Sequence, residues 1–292
     1  MRRLARAVPV GWAVTYATEP HSLYSAAMSR PVSKIGLIGI PFDANSSYLR
    51  GPAEAPASIR RALNCDSTNT WTEGGKDVAK LIEDLGDLRF HPTADAMQTI
   101  TEGIAGALQR GYIPLALGGD HSVTYAIVRA VAKVHSGLTI LHFDAHPDLY
   151  EEFQGSRYSH ACPFARIMEA GLATRLVQVG IRTANEHQRS QAKKFGVEMI
   201  EMKDWNGQLP RLEPPVYLSF DVDVLDPAFA PGVSHHEPGG MSTREAIAAV
   251  QDLHVPLVGA DVVELNPRRD QVGITAMCAA KMVKEIAAKM MD

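Results

Sequence analysis

Three short segments of the chain concentrate carboxylate and imidazole groups. They are Leu117-Gly118-Gly119-Asp120-His121-Ser122, Phe143-Asp144-Ala145-His146-Pro147-Asp148 and Phe220-Asp221-Val222-Asp223-Val224-Leu225-Asp226-Pro227. Asp144, His146 and Asp148 recur at every second residue, as do Asp221 and Asp223. In extended backbone alternate residues project the same way, so each segment is expected to aim several ligand atoms at one point. Pro147 cannot donate to a sheet ladder, so the chain should be leaving its strand there. Asp144, Asp148, Asp221 and Asp223 would crowd about four negative charges, which cannot all persist without compensating positive charge. Two divalent cations supply it. His121 and His146 complete the set, and shared carboxylates suit a binuclear centre with ions ~3.5–4 Å apart. An oxygen-rich set with two nitrogens and no thiolate favours Mn²⁺ over Zn²⁺, and ligand type also admits Ni²⁺ or Co²⁺. A single Asp-x-Asp would read as a loop cap. Three such segments resist that explanation, because buried acids need partners or metals.

The elements that must position these groups are legible as alternating patterns. Strands are expected at Lys34–Ile40, Ile113–Leu117, Leu138–Phe143, Leu176–Val179, Val197–Ile200, Val216–Phe220 and Leu257–Val263. They are continuous apolar runs, as strands buried on both faces of a parallel sheet are. Helical patterns lie at Ala94–Gln109, Val123–Val134, Pro163–Glu169, Glu186–Phe195, Thr243–Leu253 and Ala276–Met290, with Ser242 and Glu245 forming a capping box. Strand–helix alternation throughout predicts one three-layer α/β/α domain over residues 31–292, with a central, mainly parallel sheet of about eight strands. In such sheets ligands sit beyond the carboxyl ends of the strands, and all three motif segments follow apolar runs.

Composition excludes several classes. The chain has 292 residues, 46% hydrophobic and 21% charged, with a net charge of −4. These are globular values, and the mild acidity offers no footprint for nucleic acid or an anionic membrane. No apolar run approaches the ~18 residues of a membrane span. Cys65, Cys162 and Cys278 are few and far apart, which argues for a reducing compartment and against a disulfide framework. Residues 1–30 hold Arg2, Arg3, Arg6 and Arg30 against one acid, Glu19. They read as an N-terminal extension, with a cytoplasmic location expected, or as an Arg-rich organelle presequence, which would make the location mitochondrial.

The motifs Gly-Gly-Asp-His-Ser, Asp-Ala-His-x-Asp and Ser-x-Asp-x-Asp-x-x-Asp-Pro, in this order, resemble those of the ureohydrolase family of arginases and agmatinases. Gly51-Pro52-Ala53 through Ile59-Arg60, Ala230-Pro231-Gly232 through Glu237-Pro238-Gly239-Gly240, and Ala260-Asp261-Val262-Val263-Glu264-Leu265-Asn266-Pro267 resemble further stretches of it. The likeness runs from about Lys34 to Lys289. Tyr158-Ser159-His160-Ala161, Phe164–Glu169, Asn45-Ser46-Ser47 and Phe195-Gly196-Val197-Glu198 point to its plant-type branch.

The resemblance implies one metal on His121, Asp144, Asp148 and Asp221, and another on Asp144, His146, Asp221 and Asp223. A shared hydroxide would be the nucleophile. Glu264 would accept the substrate guanidinium through charge-assisted hydrogen bonds. His160 matches the family's proton-shuttling histidine, and an imidazole suits delivery of a proton to the leaving amine. The implied reaction releases urea and L-ornithine from L-arginine without an organic cofactor, in a homo-trimer or homo-hexamer. Alternatives are agmatinase or another guanidino-compound hydrolase, and a non-catalytic metal-binding regulator. Tyr150 stands where animal arginases keep Asn, and Thr183-Ala184-Asn185 follows Gly180-Ile181-Arg182 where they carry Asp. The loop Glu151–Ser159 is therefore expected to decide specificity. Asp120 and Asp226 read as loop-fixing groups, His142 as packing behind the site, His235 and His236 as rim residues, and Cys162 as no nucleophile.

Overall fold

A computed structural model describes residues 34–292. The extension expected over residues 1–30 lies outside the described residues. Eight strands form one sheet: β1 (Lys34–Gly39), β2 (Ile82–Asp87), β3 (Tyr112–Leu117), β4 (Thr139–Phe143), β5 (Arg175–Ile181), β6 (Glu198–Glu201), β7 (Val216–Asp221) and β8 (Leu257–Val263). Every neighbouring pair is parallel, in the order β2-β1-β3-β8-β7-β4-β5-β6. The helices are α1 (Ala55–Leu63), α2 (Ala96–Gln109), α3 (Val123–Val131), α4 (Pro163–Glu169), α5 (Glu186–Phe195), α6 (Thr243–Gln251) and α7 (Ile274–Lys289). One apolar core joins the sheet to α1, α6 and α7. A second joins its other face to α2, α3 and α4, with Ala192 of α5. This is the three-layer architecture expected from the alternation of patterns.

Capping explains most differences at element ends. α2 starts at Ala96, because the Asp95 side chain accepts from the backbone N–H groups of Met97 and Gln98. The Ser242–Glu245 capping box opens α6 as expected, and Asn185 with Gln188 forms another at α5. α7 begins at Ile274, one residue after Gly273 at φ 74°. Two elements were absent from the expected set. β2 is an edge strand with half-exposed Glu83, Asp84 and Asp87, so it lacks an apolar run. Arg60 of α1 grips it by pairing with Asp84 at 2.8 Å and with Asp87. α1 itself had been visible only through the family likeness.

Register decides where the chemistry lands. Phe143 of β4 lies opposite Phe220 of β7, and both Phe220 and Leu117 of β3 lie opposite Val262 of β8. The four central strands β3, β8, β7 and β4 thus end level with one another. The residues just beyond them belong to the three motifs and to Glu264.

Candidate metal centre

The loop after β3 carries His121, whose fully buried ring points across the strand ends. Its Nδ1 lies 3.1 Å from carboxylate oxygens of each of Asp144, Asp148 and Asp221. The partner of its other ring nitrogen fixes the tautomer. Ser219 Oγ gives its only proton to Asp261 Oδ1 at 2.7 Å, so it can only accept from His121 Nε2–H at 3.0 Å. Asp261 also accepts from Tyr217 Oη at 2.6 Å and Thr124 Oγ1 at 2.9 Å. In the neutral ring His121 Nδ1 is therefore the lone pair facing three acids, buried and without a hydrogen-bond partner among the described residues.

The second imidazole shares Asp144 with the first. His146 Nδ1 lies 3.0 Å from Asp223 Oδ2 and 3.3 Å from Asp144 Oδ1. Asp144 stands between the two rings, its Oδ2 beside His121 and its Oδ1 beside His146. The six groups converge, but extended alternation is not the reason for all of them. β4 ends at Phe143, and Asp148 has φ 50°, so a turned loop brings it back. Asp223 sits in a 3-10 turn over Val222–Val224, started by Asp221 accepting from its N–H at 2.8 Å. Backbone at positive φ in non-glycine residues costs on the order of 1–3 kcal/mol and collects at functional sites. Asp148 and Glu264, at φ 63°, both have it.

Charge at this cluster is frustrated in a way that suits cations. Burial and the neighbouring Asp223 and Asp144 hold the Asp221 carboxyl well above its usual range. Burial and Asp144 push Asp148 up to about 6. Burial opposes a charged His121, yet Asp144, Asp148 and Asp221 outweigh it and hold the imidazole well above its usual value. Positive charge is in demand at the position His121 Nδ1 faces. The residues fit metal ions: Asp144, His146 and Asp223 form one group with ligand atoms within 4.8 Å of one another, and His121 and Asp144 belong to another.

His160 and Glu264 meet on the same rim. Glu264 follows β8, and its Oε1 accepts from His121 N–H at 2.8 Å and lies 2.8 Å from His160 Nδ1. Its Oε2 is buried without a partner among the described residues. Burial works against a charged His160, but Glu264 prevails and raises it to about 9. His160 Nε2 lies 2.7 Å from Ser47 Oγ, and His160 N–H donates to Asn45 O at 3.1 Å. Asp120 fixes that loop by accepting from Asn45 N–H at 2.9 Å and Ser46 Oγ at 3.4 Å. Asp226 fixes another, accepting from the N–H groups of Ala228, Gly239 and Gly240.

A cavity of about 200 Å³ opens onto these groups; Ser47, His235, Tyr150, Phe153, Thr183 and Gln188 are among the residues that wall it. His235 packs 5.1 Å from His160, ring centre to ring centre, while His236 turns away to Pro231 O. Burial raises the Cys162 thiol to about 12, which removes it as a nucleophile at neutral pH. Sequence reasoning assigned no role to Ser47, Gln178, Ser219 or Asp261. The last three interrupt apolar strand runs, and that interruption was the available signal.

Fold and cluster together define a three-layer α/β protein whose strand-end cleft can hold metal ions. The Arginase family model matches residues 33–288. "Arginase 1, mitochondrial" of Arabidopsis thaliana is 50% identical over 273 residues, covering 87% of this chain and 80% of the relative. The solved arginase from Medicago truncatula superposes with a TM-score of 0.84 at 47% identity, covering 89% of this chain and 88% of the other. An agmatinase of Bacillus anthracis is 33% identical, covering 87% and 91% respectively. The chain belongs to the arginase family.

Proposed function

We propose that the protein hydrolyses the guanidinium group of L-arginine to urea and L-ornithine. The observation that carries this reading is His121 Nδ1 facing three carboxylates at 3.1 Å, with Glu264 Oε2 buried and unpaired among the described residues. His121, Asp144, Asp148 and Asp221 would hold one divalent cation, and Asp144, His146, Asp221 and Asp223 the other. Two Mn²⁺ are the ions we infer, because the donors are mostly carboxylate oxygens. Bound there, the ions supply Lewis acidity and lower the pKa of water towards neutrality.

The remaining steps belong to the chain's own groups. Glu264 Oε2 offers a desolvated carboxylate oxygen to a planar cation, which orients the guanidinium towards the acids. His160 carries a proton at neutral pH because Glu264 holds it charged. From the cavity wall it can hand that proton to the departing amine. Ser47 and Asn45 keep its ring in place meanwhile.

A second reading, hydrolysis of agmatine, is favoured by one feature. Tyr150, Phe153, Thr183 and Gln188, which help to wall the cavity, carry no charge for an α-carboxylate. Urea release from L-arginine, agmatine and guanidinobutyrate with Mn²⁺ separates the readings: arginine should be turned over fastest. Urea from agmatine alone would sink the arginase reading, and urea from none would favour a regulator.

We further infer a mitochondrial location rather than the expected cytoplasmic one. The named plant relative is mitochondrial, and the arginine excess of residues 1–30 suits a presequence. Fusing residues 1–30 to a fluorescent protein tests it, and a diffuse cytoplasmic signal would refute it. Association into a homo-trimer or homo-hexamer is proposed from the family likeness, with light scattering as the check.

A further inference from the structure

We propose that His142 is a positioning residue for the metal centre, an imidazole whose Nε2–H, fixed by Gln178, holds Asp144 in the orientation that serves the ion beside His121. The inference rests on the metal centre proposed above. His142 is fully buried on β4, and Asp144 follows it by two residues, just past the strand's end. Distance alone would let it be a ligand, since His121, His142 and Asp144 offer atoms within 4.8 Å of one another.

Its hydrogen bonds assign it another part. Gln178 Nε2 lies 2.6 Å from the carbonyl oxygen of Pro147. A carbonyl only accepts, so the amide nitrogen must face it, and this settles which end of the Gln178 amide is which. The same nitrogen lies 3.0 Å from His142 Nδ1, which must therefore accept its other proton. The ring proton is left on Nε2, 2.8 Å from Asp144 Oδ2. Neither ring nitrogen keeps a free lone pair for a metal. Phe164, stacked at 3.9 Å between ring centres, prevents the imidazole from swinging.

The bond bears on one side of the centre. Asp144 Oδ2 is the oxygen 3.1 Å from His121 Nδ1, whereas Oδ1 faces His146. Sheet register extends the pattern. His142 lies opposite both Gln178 and Ser219, and Ser219 opposite Asp261, so a polar row crosses four strands beneath the ligands. Ser219 with Asp261 aims His121, and Gln178 with His142 aims Asp144. Such outer partners fix ligand orientation, and losing one typically costs 10–100-fold in metal affinity.

The test measures metal release by competition with a chromophoric chelator, on folded protein, with activity as a secondary readout. H142F keeps the ring and its stacking but has no donor, and it should weaken one of the two ions by roughly 10–100-fold. H142Q places an amide near the Nε2 position and should recover most of that loss. Q178L should weaken the same ion by a smaller factor. Equal affinity for both ions in H142F and the parent would overturn the proposal, as would equal weakening of both ions or no recovery in H142Q. If H142F does not fold, unchanged affinity in Q178L overturns it instead. A parent that binds no divalent ion would remove the proposed function, and this inference with it.

Discussion

His160 has its two ring nitrogens in different hands: Nδ1 belongs to Glu264 and Nε2 to Ser47. The first contact sets its charge and the second its orientation. Replacing His160 with Ala should lower kcat by roughly 10²–10⁴-fold with metal content unchanged, measured by urea release and metal analysis of the same preparation. Metal loss instead would mean the residue supports the ligands rather than moving a proton. The pair also makes stability depend on pH. The folded-state value of about 9 lies above the ordinary 6.5, so the pair's contribution is complete below pH 6.5 and fades as pH rises through about 9. In chelator-treated protein, the gap in thermal midpoint between the parent and His160→Gln should therefore close across that window. A constant gap would show that Glu264 does not hold the charge.

Among the elements, the turn after β3 is built with little tolerance. A Cβ on Gly119 would fall 1.7 Å from the carbonyl oxygen of Phe42. Gly119 O accepts from Glu264 N–H at 3.0 Å, and Asp120 N–H donates to Phe42 O at 2.9 Å, so one glycine ties β3, the Asn45 loop and the end of β8 together. Gly119→Ala should destabilise by about 1–3 kcal/mol in denaturant unfolding and also reduce kcat, because Glu264 and the loop under His160 must shift. A stable, fully active variant would contradict this picture. The sequence made the central strands legible because they are mostly apolar, and the metal ligands legible because acids recur at strand ends. β2 was hidden by its acidic, half-exposed edge. The turns at Asp148 and Asp223 were hidden too, since spacing alone suggested extended chain. His142, Gln178, Ser219 and Asp261 could be seen as polar breaks, but their partners lie on other strands. Only register, which is a long-range property, joins them.

At the scale of the molecule, six acids and imidazoles at one rim mean that the cleft is relaxed only with positive charge in it. An ion that binds the folded chain alone stabilises it by about 2.7 kcal/mol at a hundredfold excess over Kd. Chelation should therefore lower the thermal midpoint by ~5 °C or more, and added Mn²⁺ should restore it. An unchanged midpoint would argue that the carboxylates settle their charge by protonation alone. Among the described residues, no helix is long and apolar enough to cross a membrane.

The strand order has a consequence for how such a chain comes into being. β8 is the last strand of the sheet in chain order, yet it is wedged between β3, whose following loop carries His121, and β7, which neighbours β4, the strand before Asp144. Until Leu257–Val263 has left the ribosome, the two halves of the sheet share no ladder, and His121 cannot join the acids at the ends of β4 and β7. Completion of the paired site is thus deferred to the end of synthesis, and occupation of its His121 side becomes a report that the C-terminal part has arrived and docked.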